Sequence, residues 1–353
     1  MSLVRSEREV ADADPDARSG FANCAASGPS GAGCRLEATY ILPLHAPKAV
    51  EELDGYLEDL ALHLDVIVVD GSPKDVFDRN HQRWSAVRHI PVDADLVTPM
   101  GKVGGVLTGV RHATTTALVI ADDDVRWNRG LLEQALRRLP GAEVVRPQNV
   151  FRPNPWHARW DTGRILLNRA FGGDWPGTLV VDRLALLRSG GYDGSVLFEN
   201  LELVRTLRAA GGTERVALDV IVPRRPPSWT QFREQRVRQA YDELARPWRL
   251  AVALAVGPVV ALVGRRAALA LAAIAVVAAE AGRCRGGGAA AYPATSALWA
   301  PAWVAERTVT SWLAVASRAR HGGIRYRGNV LRSAATPMRR LRLGSARVRP
   351  LDG

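Results

Sequence analysis

The feature that most constrains this chain is a series of short, uninterrupted apolar runs separated by helical stretches. Ala38-Thr-Tyr-Ile-Leu42 ends at Pro43, Val66-Ile-Val-Val69 at Asp70, and Ala117-Leu-Val-Ile-Ala121 at Asp122-Asp123-Asp124; Ala86–Ile90 reads as another strand. Residues 48–63 and Gly101–His112 read as helices between them. Runs without a polar residue at every second position belong to strands covered on both faces, which means a mainly parallel sheet in an α/β layer fold. In such sheets the ligand crevice lies outside the carboxyl ends of the strands. Asp70 and Asp122–Asp124 fall at that edge.

The remainder of the chain departs from this pattern at both ends. Residues 1–35, rich in Ala, Ser, Gly and Asp, contain no apolar run long enough for a signal-peptide core and read as a disordered leader. The α/β pattern covers 36–246, and folding in the cytosol is expected. From 247 to 317 the composition turns hydrophobic. Leu250–Gly264 and Ala267–Ala279 carry no charge, Arg265-Arg266 separates them, and Ala297–Ala316 follows with Glu306-Arg307 inside it. Fifteen helical residues span ~22 Å against a hydrocarbon core of ~30 Å, so each run alone is short for a crossing. Five of the ten tryptophans (Trp229, Trp248, Trp299, Trp303 and Trp312) lie from residue 229 onward, as expected at a membrane interface. A buried helical subdomain is the plainer alternative. The net charge of +11 is concentrated in residues 318–353, where ten arginines face one acid, so that tail contributes +9 and the other 317 residues +2. That distribution excludes a uniformly basic nucleic-acid-binding domain, and a basic tail on the cytosolic side of a membrane is expected. Three cysteines are too few for a disulfide framework or a zinc cage.

Among the polar residues, Asp122-Asp123-Asp124 is the strongest chemical signal. Adjacent carboxylates repel one another, and a divalent cation offsets that repulsion; Mg2+ takes one or two carboxylates and completes its shell with substrate phosphates. An acidic turn ahead of a helix near Asn128 is the structural alternative. Asp70 reads either as an acceptor for a nucleobase or ribose or as an Asx-turn residue in Asp-Gly-Ser-Pro. Gly101-Lys102-Val103-Gly104-Gly105 is glycine-rich but lacks the spacing of a Walker loop, and no dinucleotide fingerprint follows the first strand. Asp174 and Trp175, in Gly-Gly-Asp-Trp-Pro-Gly, read as an acceptor contact or as a structural turn. The histidines show no ligand spacing.

In order, these motifs resemble glycosyltransferase family 2, the inverting sugar-nucleotide enzymes of the GT-A fold. The resemblance spans roughly residues 37–246, with a hydrophobic extension similar to that of the ceramide-glucosyltransferase and hopanoid-type members. Ile41-Leu42-Pro43 is similar to the opening strand, Val68-Val69-Asp70-Gly71-Ser72 to the base-binding strand end, and Gly101-Lys102 through Asp122-Asp123-Asp124 to the approach to the D-x-D motif. The resemblance implies that Pro43, Asp70, Lys102, Asp122 and Asp123 bind a UDP- or GDP-sugar, with Asp122 facing the sugar nucleotide and Asp124 the Mg2+ or Mn2+. Two departures stand out. The Glu-Asp motif that supplies the family's base reads Glu199-Asn200 here, which leaves Glu199 or Glu202 as the expected base. Q-x-x-R-W reads Gln235-Arg236-Val237-Arg238-Gln239, keeping Gln235 and Arg238 for the acceptor and diphosphate region. The expected activity is transfer of a hexose to a lipid or isoprenoid acceptor at the cytoplasmic face of a membrane. A non-catalytic sugar-nucleotide or lipid-binding scaffold is the alternative that Asn200 and Gln239 keep open, and a nucleotidyltransferase is the enzymatic one.

Overall fold

The computed structural model describes residues 35–326 and 328–345. The leader expected over 1–35 and the end of the basic tail therefore lie almost wholly outside the described residues. In chain order the elements are β1 (Ala38–Leu44), α1 (Asp54–Ala61), β2 (Asp65–Asp70), α2 (Lys74–Arg83), β3 (Arg88–Pro91), α3 (Gly101–His112), β4 (Ala117–Ala121), α4 (Arg129–Leu136) and β5 (Val144–Phe151). Next come α5 (Trp156–Ala170), β6 (Thr178–Asp182), α6 (Arg183–Arg188), α7 (Glu199–Ala209), β7 (Glu214–Arg224) and α8 (Trp229–Tyr241). The last third holds α9 (Pro247–Val263), α10 (Arg265–Cys284), α11 (Gly288–Ala291), α12 (Ala300–His321), β8 (Ile324–Tyr326), β9 (Asn329–Leu331) and α13 (Met338–Ser345).

Seven strands form one sheet in the order β3-β2-β1-β4-β6-β5-β7. β1, β2, β3 and β4 run parallel, β5 and β7 pair in parallel, and β6 alone is antiparallel to its neighbours β4 and β5. The expected mainly parallel α/β sheet is present, and β4 and α3 occupy the expected ranges. The helix expected over 48–63 is shorter, a 3-10 turn at Glu51–Leu53 leading into α1. Side chains alternate between two buried faces. Ile41, Ile67, Val69 and Ile120 pack with α3, whereas Tyr40, Leu42, Val66 and Val68 pack with Leu57, Leu60 and Leu132 on the other side.

Two glycines of α3 serve that packing. A Cβ on Gly105 would stand 2.9 Å from the Pro43 side chain, and one on Gly109 would overlap Ile41. Small residues therefore let the helix axis settle close over β1.

Helices α9 to α12 fold against the α/β part. α10 packs on α5 through Ala275, Ala279 and Gly282, and the start of α12 passes Gly163 so closely that a Cβ there would lie 2.9 Å from the Ala300 nitrogen. Arg236 of α8, inside the Gln235–Gln239 motif, is 7% exposed and bidentate to Asp161 of α5 at 2.8 and 3.1 Å. A guanidinium this deep needs its carboxylate partner to be tolerated at all. The described part of the basic tail is also docked: Leu197 and Phe198 donate their backbone N–H to Ser333 and Ala334 carbonyls at 3.0 and 2.8 Å. Among the described residues one helical stretch, Arg265–Ala291, is long and apolar enough to cross a membrane by length and composition.

Candidate active site

A cleft of about 850 Å3 opens at the carboxyl ends of the strands, with Pro43, Lys102, Asp122–Asp124, Trp175, Glu199 and Arg224 among its lining. β4 delivers the carboxylates because its five buried residues leave nowhere for charge until the strand ends. The Asp122 N–H donates to the Gly177 carbonyl at 2.8 Å, and the Gly177 N–H donates to Asn149 Oδ1 at 2.8 Å, which ties the acidic loop to the start of β6. Asn128 caps α4, accepting from the Leu131 N–H at 2.9 Å, and the first turn of α4 holds no acidic residue, so the cap is Asn128 and not the acidic triplet.

Two cations balance the acidic loop. Lys102 Nζ lies 2.5 Å from Asp122 Oδ1 and 2.7 Å from Glu199 Oε1. From the end of β7, Arg224 donates through Nε to Asp124 Oδ2 at 2.8 Å and through Nη2 to Asp122 Oδ2 at 3.1 Å. Burial alone would raise the Asp122 carboxyl, but Lys102 and Arg224 outweigh it and hold the group below its ordinary range. Burial pushes Asp124 up to about 6 despite Arg224, with Asp122 and Asp123 adding to the rise. Asp123 is raised for the same two reasons, burial first and the Asp122 charge second. Lys102 would be lowered by burial, yet Asp122 and Glu199 keep it firmly protonated.

Asp124 Oδ1 is buried and has no hydrogen-bond partner. No group of three or more His, Cys, Asp or Glu side chains that could hold a metal ion occurs among the described residues. Protein oxygens alone therefore do not make a metal cage here. One or two carboxylates with a free oxygen fit a hard cation whose remaining ligands come from substrate phosphates and water.

The other expected site residues divide. Gln235 and Arg238 of α8 line the cleft, as does Trp175, whose ring lies beneath the Arg146 guanidinium at 4.3 Å. Three do not line it. Asp70 is 2% exposed and accepts from the Ser72 N–H at 2.8 Å, Asn80 Nδ2 at 2.9 Å and His89 Nε2 at 3.1 Å. Burial raises its carboxyl, and these three donors outweigh that and lower it. Asp174 is 1% exposed, and its Oδ1 accepts from Arg164 and Asn168 at 2.7 Å each, beneath the turn that presents Trp175. Glu202 is fully buried and accepts from the Thr336 N–H at 2.7 Å. Asn200 uses its amide to hold the Pro176 carbonyl at 2.9 Å.

Arg224 and Asp242 are among the cleft-lining residues that the motifs did not mark. Arg224 follows the apolar strand Val220-Ile-Val-Pro at the same sheet edge, so its position was available from the strand pattern. Asp242, the first residue after α8, also lines the cleft, and no motif distinguishes it.

A scan with family models finds no match, and neither does a search among curated proteins. Solved structures do show likeness. A mannosyltransferase of Pyrobaculum calidifontis in complex with GDP-Man and Mn2+ is 19% identical, with 79% of this chain and 88% of that one covered at a TM-score of 0.47. A glucosyl-3-phosphoglycerate synthase of Mycobacterium tuberculosis is 15% identical over 55% of this chain and 74% of that one, at a TM-score of 0.35. A mannosyl-3-phosphoglycerate synthase of Rubrobacter xylanophilus is 16% identical over 56% and 69%, at 0.38. Likeness at this level leaves the function to be argued from the residues of this chain.

Proposed function

We propose that this protein is a glycosyltransferase of GT-A type that moves a hexose from a nucleoside diphosphate sugar to a hydroxyl or phosphate of a lipid acceptor. The observation that carries the reading is the Asp122–Asp124 loop, a carboxylate pair with one unpartnered oxygen, facing a cleft flanked by Lys102 and Arg224. The cleft's volume lies within the ~300–1,000 Å3 of small-molecule sites, enough for a sugar nucleotide. Asp124, with Asp122, would hold Mg2+ or Mn2+ together with the donor's diphosphate. Bound there, the ion supplies Lewis-acid charge to the departing diphosphate.

The chain's own groups do the rest. Lys102 and Arg224 set positive charge beside the acidic loop, and Arg238 adds a guanidinium to the cleft lining, suited to phosphate oxygens. Trp175 offers an aromatic face in the cleft against which a sugar or an acceptor can stack. Asp70, held by its three donors, shapes the Gly71-Ser72 turn whose glycine does reach the cleft.

The lipid acceptor and membrane attachment rest on the last third. α9 has no buried residue, and Trp248, Leu262, Val263, Leu269, Ile274 and Val277 stand exposed along α9 and α10. An apolar surface of that extent marks an interaction site in a protein otherwise well packed. With α10 already packed on α5, an in-plane docking of α9–α10 at the head-group boundary, beside Arg265 and Arg266, accounts for it better than a crossing. Anchoring would confine enzyme and acceptor to one interface and raise their effective concentration.

The test is nucleotide release by the full-length protein from UDP-, GDP- and dTDP-sugars with Mn2+ and membrane lipid extract. Release from at least one donor, stopped by chelator, is expected. A non-catalytic scaffold would bind a nucleotide sugar and release nothing.

A further inference from the structure

An inverting transfer requires a group that takes the acceptor's proton, so the identity of that group is a question only if the glycosyltransferase reading holds. The acidic residues of α7 are poorly disposed for the task. Glu199 Oε1 accepts from the Lys102 ammonium at 2.7 Å, so that oxygen is already engaged in an ion pair. Glu202 is buried beneath Thr336, and the Asn200 amide has no proton-accepting chemistry.

Asp242, unlike Glu202, lines the cleft, and unlike Asn200 it carries a carboxylate. It follows Tyr241, a fully buried residue whose hydroxyl donates to the Arg332 carbonyl at 2.7 Å, and it opens the 3-10 turn Asp242–Ala245. Its backbone is therefore fixed by packing. Its side chain lines the cleft that also contains Asp122–Asp124, and its Oδ1 is buried without a hydrogen-bond partner. A buried carboxylate oxygen left unpaired is uncommon and costly, and a ligand's hydroxyl is the donor a cleft would supply.

We infer that Asp242 is the general base of the transfer, accepting the proton of the acceptor hydroxyl. In that step the hydroxyl proton passes to the Asp242 carboxylate as the acceptor oxygen forms its bond to the anomeric carbon. The bond from that carbon to the diphosphate breaks, and its electron pair leaves on the phosphate oxygen. Burial pushes Asp242 up to about 7, which suits a base working near neutral pH. The charges around it come from four elements. Arg246 on its own turn and Arg307 of α12 pull its pKa down, Glu199 of α7 and the neighbouring Glu243 push it up, and Arg164 of α5 also senses its charge.

The experiment uses full-length protein, Mn2+, the sugar nucleotide that wild type turns over, and lipid extract as acceptor. Asp242→Asn is expected to lower kcat by ~10²–10⁴ with donor KM little changed, because general-base loss acts on the chemical step. The wild-type rate should rise with pH through about 7, a limb displaced in Asp242→Glu and absent from the residual rate of Asp242→Asn. Glu199→Gln should raise donor KM more than it lowers kcat. Nucleotide binding and circular dichroism establish that Asp242→Asn folds; if it does not, Asp242→Glu decides, and an unshifted limb there overturns the assignment. An Asp242→Asn enzyme within about threefold of wild type that keeps the limb also overturns it, leaving the transferase reading intact. If wild type turns over no donor, the transferase reading falls and the base assignment falls with it.

Discussion

Gly177 shows how tightly the acidic loop is built. A Cβ at this position would stand 2.5 Å from Asp122 Oδ2 and 2.9 Å from the Arg224 guanidinium. Gly177→Ala must therefore part the Asp122–Arg224 pair at the cleft wall while leaving the sheet register alone. The expected outcome is a loss of transfer of about tenfold or more (~1.4 kcal/mol or more in the barrier), with an unchanged far-ultraviolet spectrum; steady-state kinetics and circular dichroism check it. Asp242 supplies a second prediction at this scale. Its carboxyl has an ordinary pKa of 3.8 in the unfolded chain and is raised to about 7 by burial in the fold. Ionising it thus costs stability, a cost that is absent at pH values below the unfolded pKa and complete above the folded one. Asp242→Asn, which never ionises, should melt higher than wild type at pH 8.5 and lose that advantage as the pH falls toward 4. Melting curves across that range that show no pH-dependent difference would contradict it. The acidic triplet was legible because three adjacent charges can close a buried strand only at the sheet edge, where counter-charges or a ligand offset them. Asp242 was not, since its character comes first from burial in the fold, and the Glu199 and Arg307 charges that also act on it are distant in sequence.

At the scale of elements, α8 carries three arginines with three fates. Arg233 is exposed, Arg236 is buried against Asp161, and Arg238 faces the cleft. Helical periodicity alone does not separate them, because the carboxylate that buries Arg236 lies on α5, 75 positions earlier. Glu306 of α12 joins the same group, 3.4 Å from Arg236 Nη1 and 2.8 Å from Trp160 Nε1, so three helices meet at one guanidinium. Removing it leaves the buried Asp161 carboxylate with Arg164, at 3.9 Å, as its nearest remaining counter-charge. Arg236→Ala should cost ~3–5 kcal/mol in urea unfolding, while Arg233→Ala on the same helix should cost less than ~0.5 kcal/mol. Equal effects would mean that the α5–α8–α12 contact contributes nothing special. The glycines of α3 likewise depend on partners distant in sequence. Read alone, Gly-Lys-Val-Gly-Gly is glycine-rich without the spacing of a Walker loop; in the fold Gly101, Lys102 and Gly105 of this segment reach the cleft, and Gly104, like Gly109 further along α3, serves packing.

For the whole molecule, the parallel sheet and the location of its crevice were readable from strand composition, since apolar runs without alternation leave few other arrangements. The relation between the hydrophobic third and the rest was not. Composition shows that 247–317 is apolar, but not that α10 spends one face on α5 and leaves the other outward. That outward face makes a prediction about the intact protein. Leu262 is 87% exposed and Leu269 69% exposed, and neither touches the cleft. Burying a leucine is worth ~1.5–3 kcal/mol. The double change Leu262→Asp and Leu269→Asp should therefore weaken co-sedimentation with anionic vesicles by more than tenfold and leave nucleotide binding untouched. Vesicle binding equal to wild type would rule out the membrane as the partner of this face.

If the cleft holds a nucleoside diphosphate through a metal on Asp124, nucleotide affinity must depend on both the metal and that carboxylate. Calorimetric titration of UDP and GDP into the full-length protein, in Mn2+ and in chelator, tests this most directly. Mn2+ should tighten binding of one of the two by more than tenfold in wild type, and Asp124→Ala should bind it with the same weak affinity in both buffers. Nucleotide affinity that ignores Mn2+ in the wild-type protein, or that stays Mn2+-dependent without the Asp124 carboxylate, would contradict it.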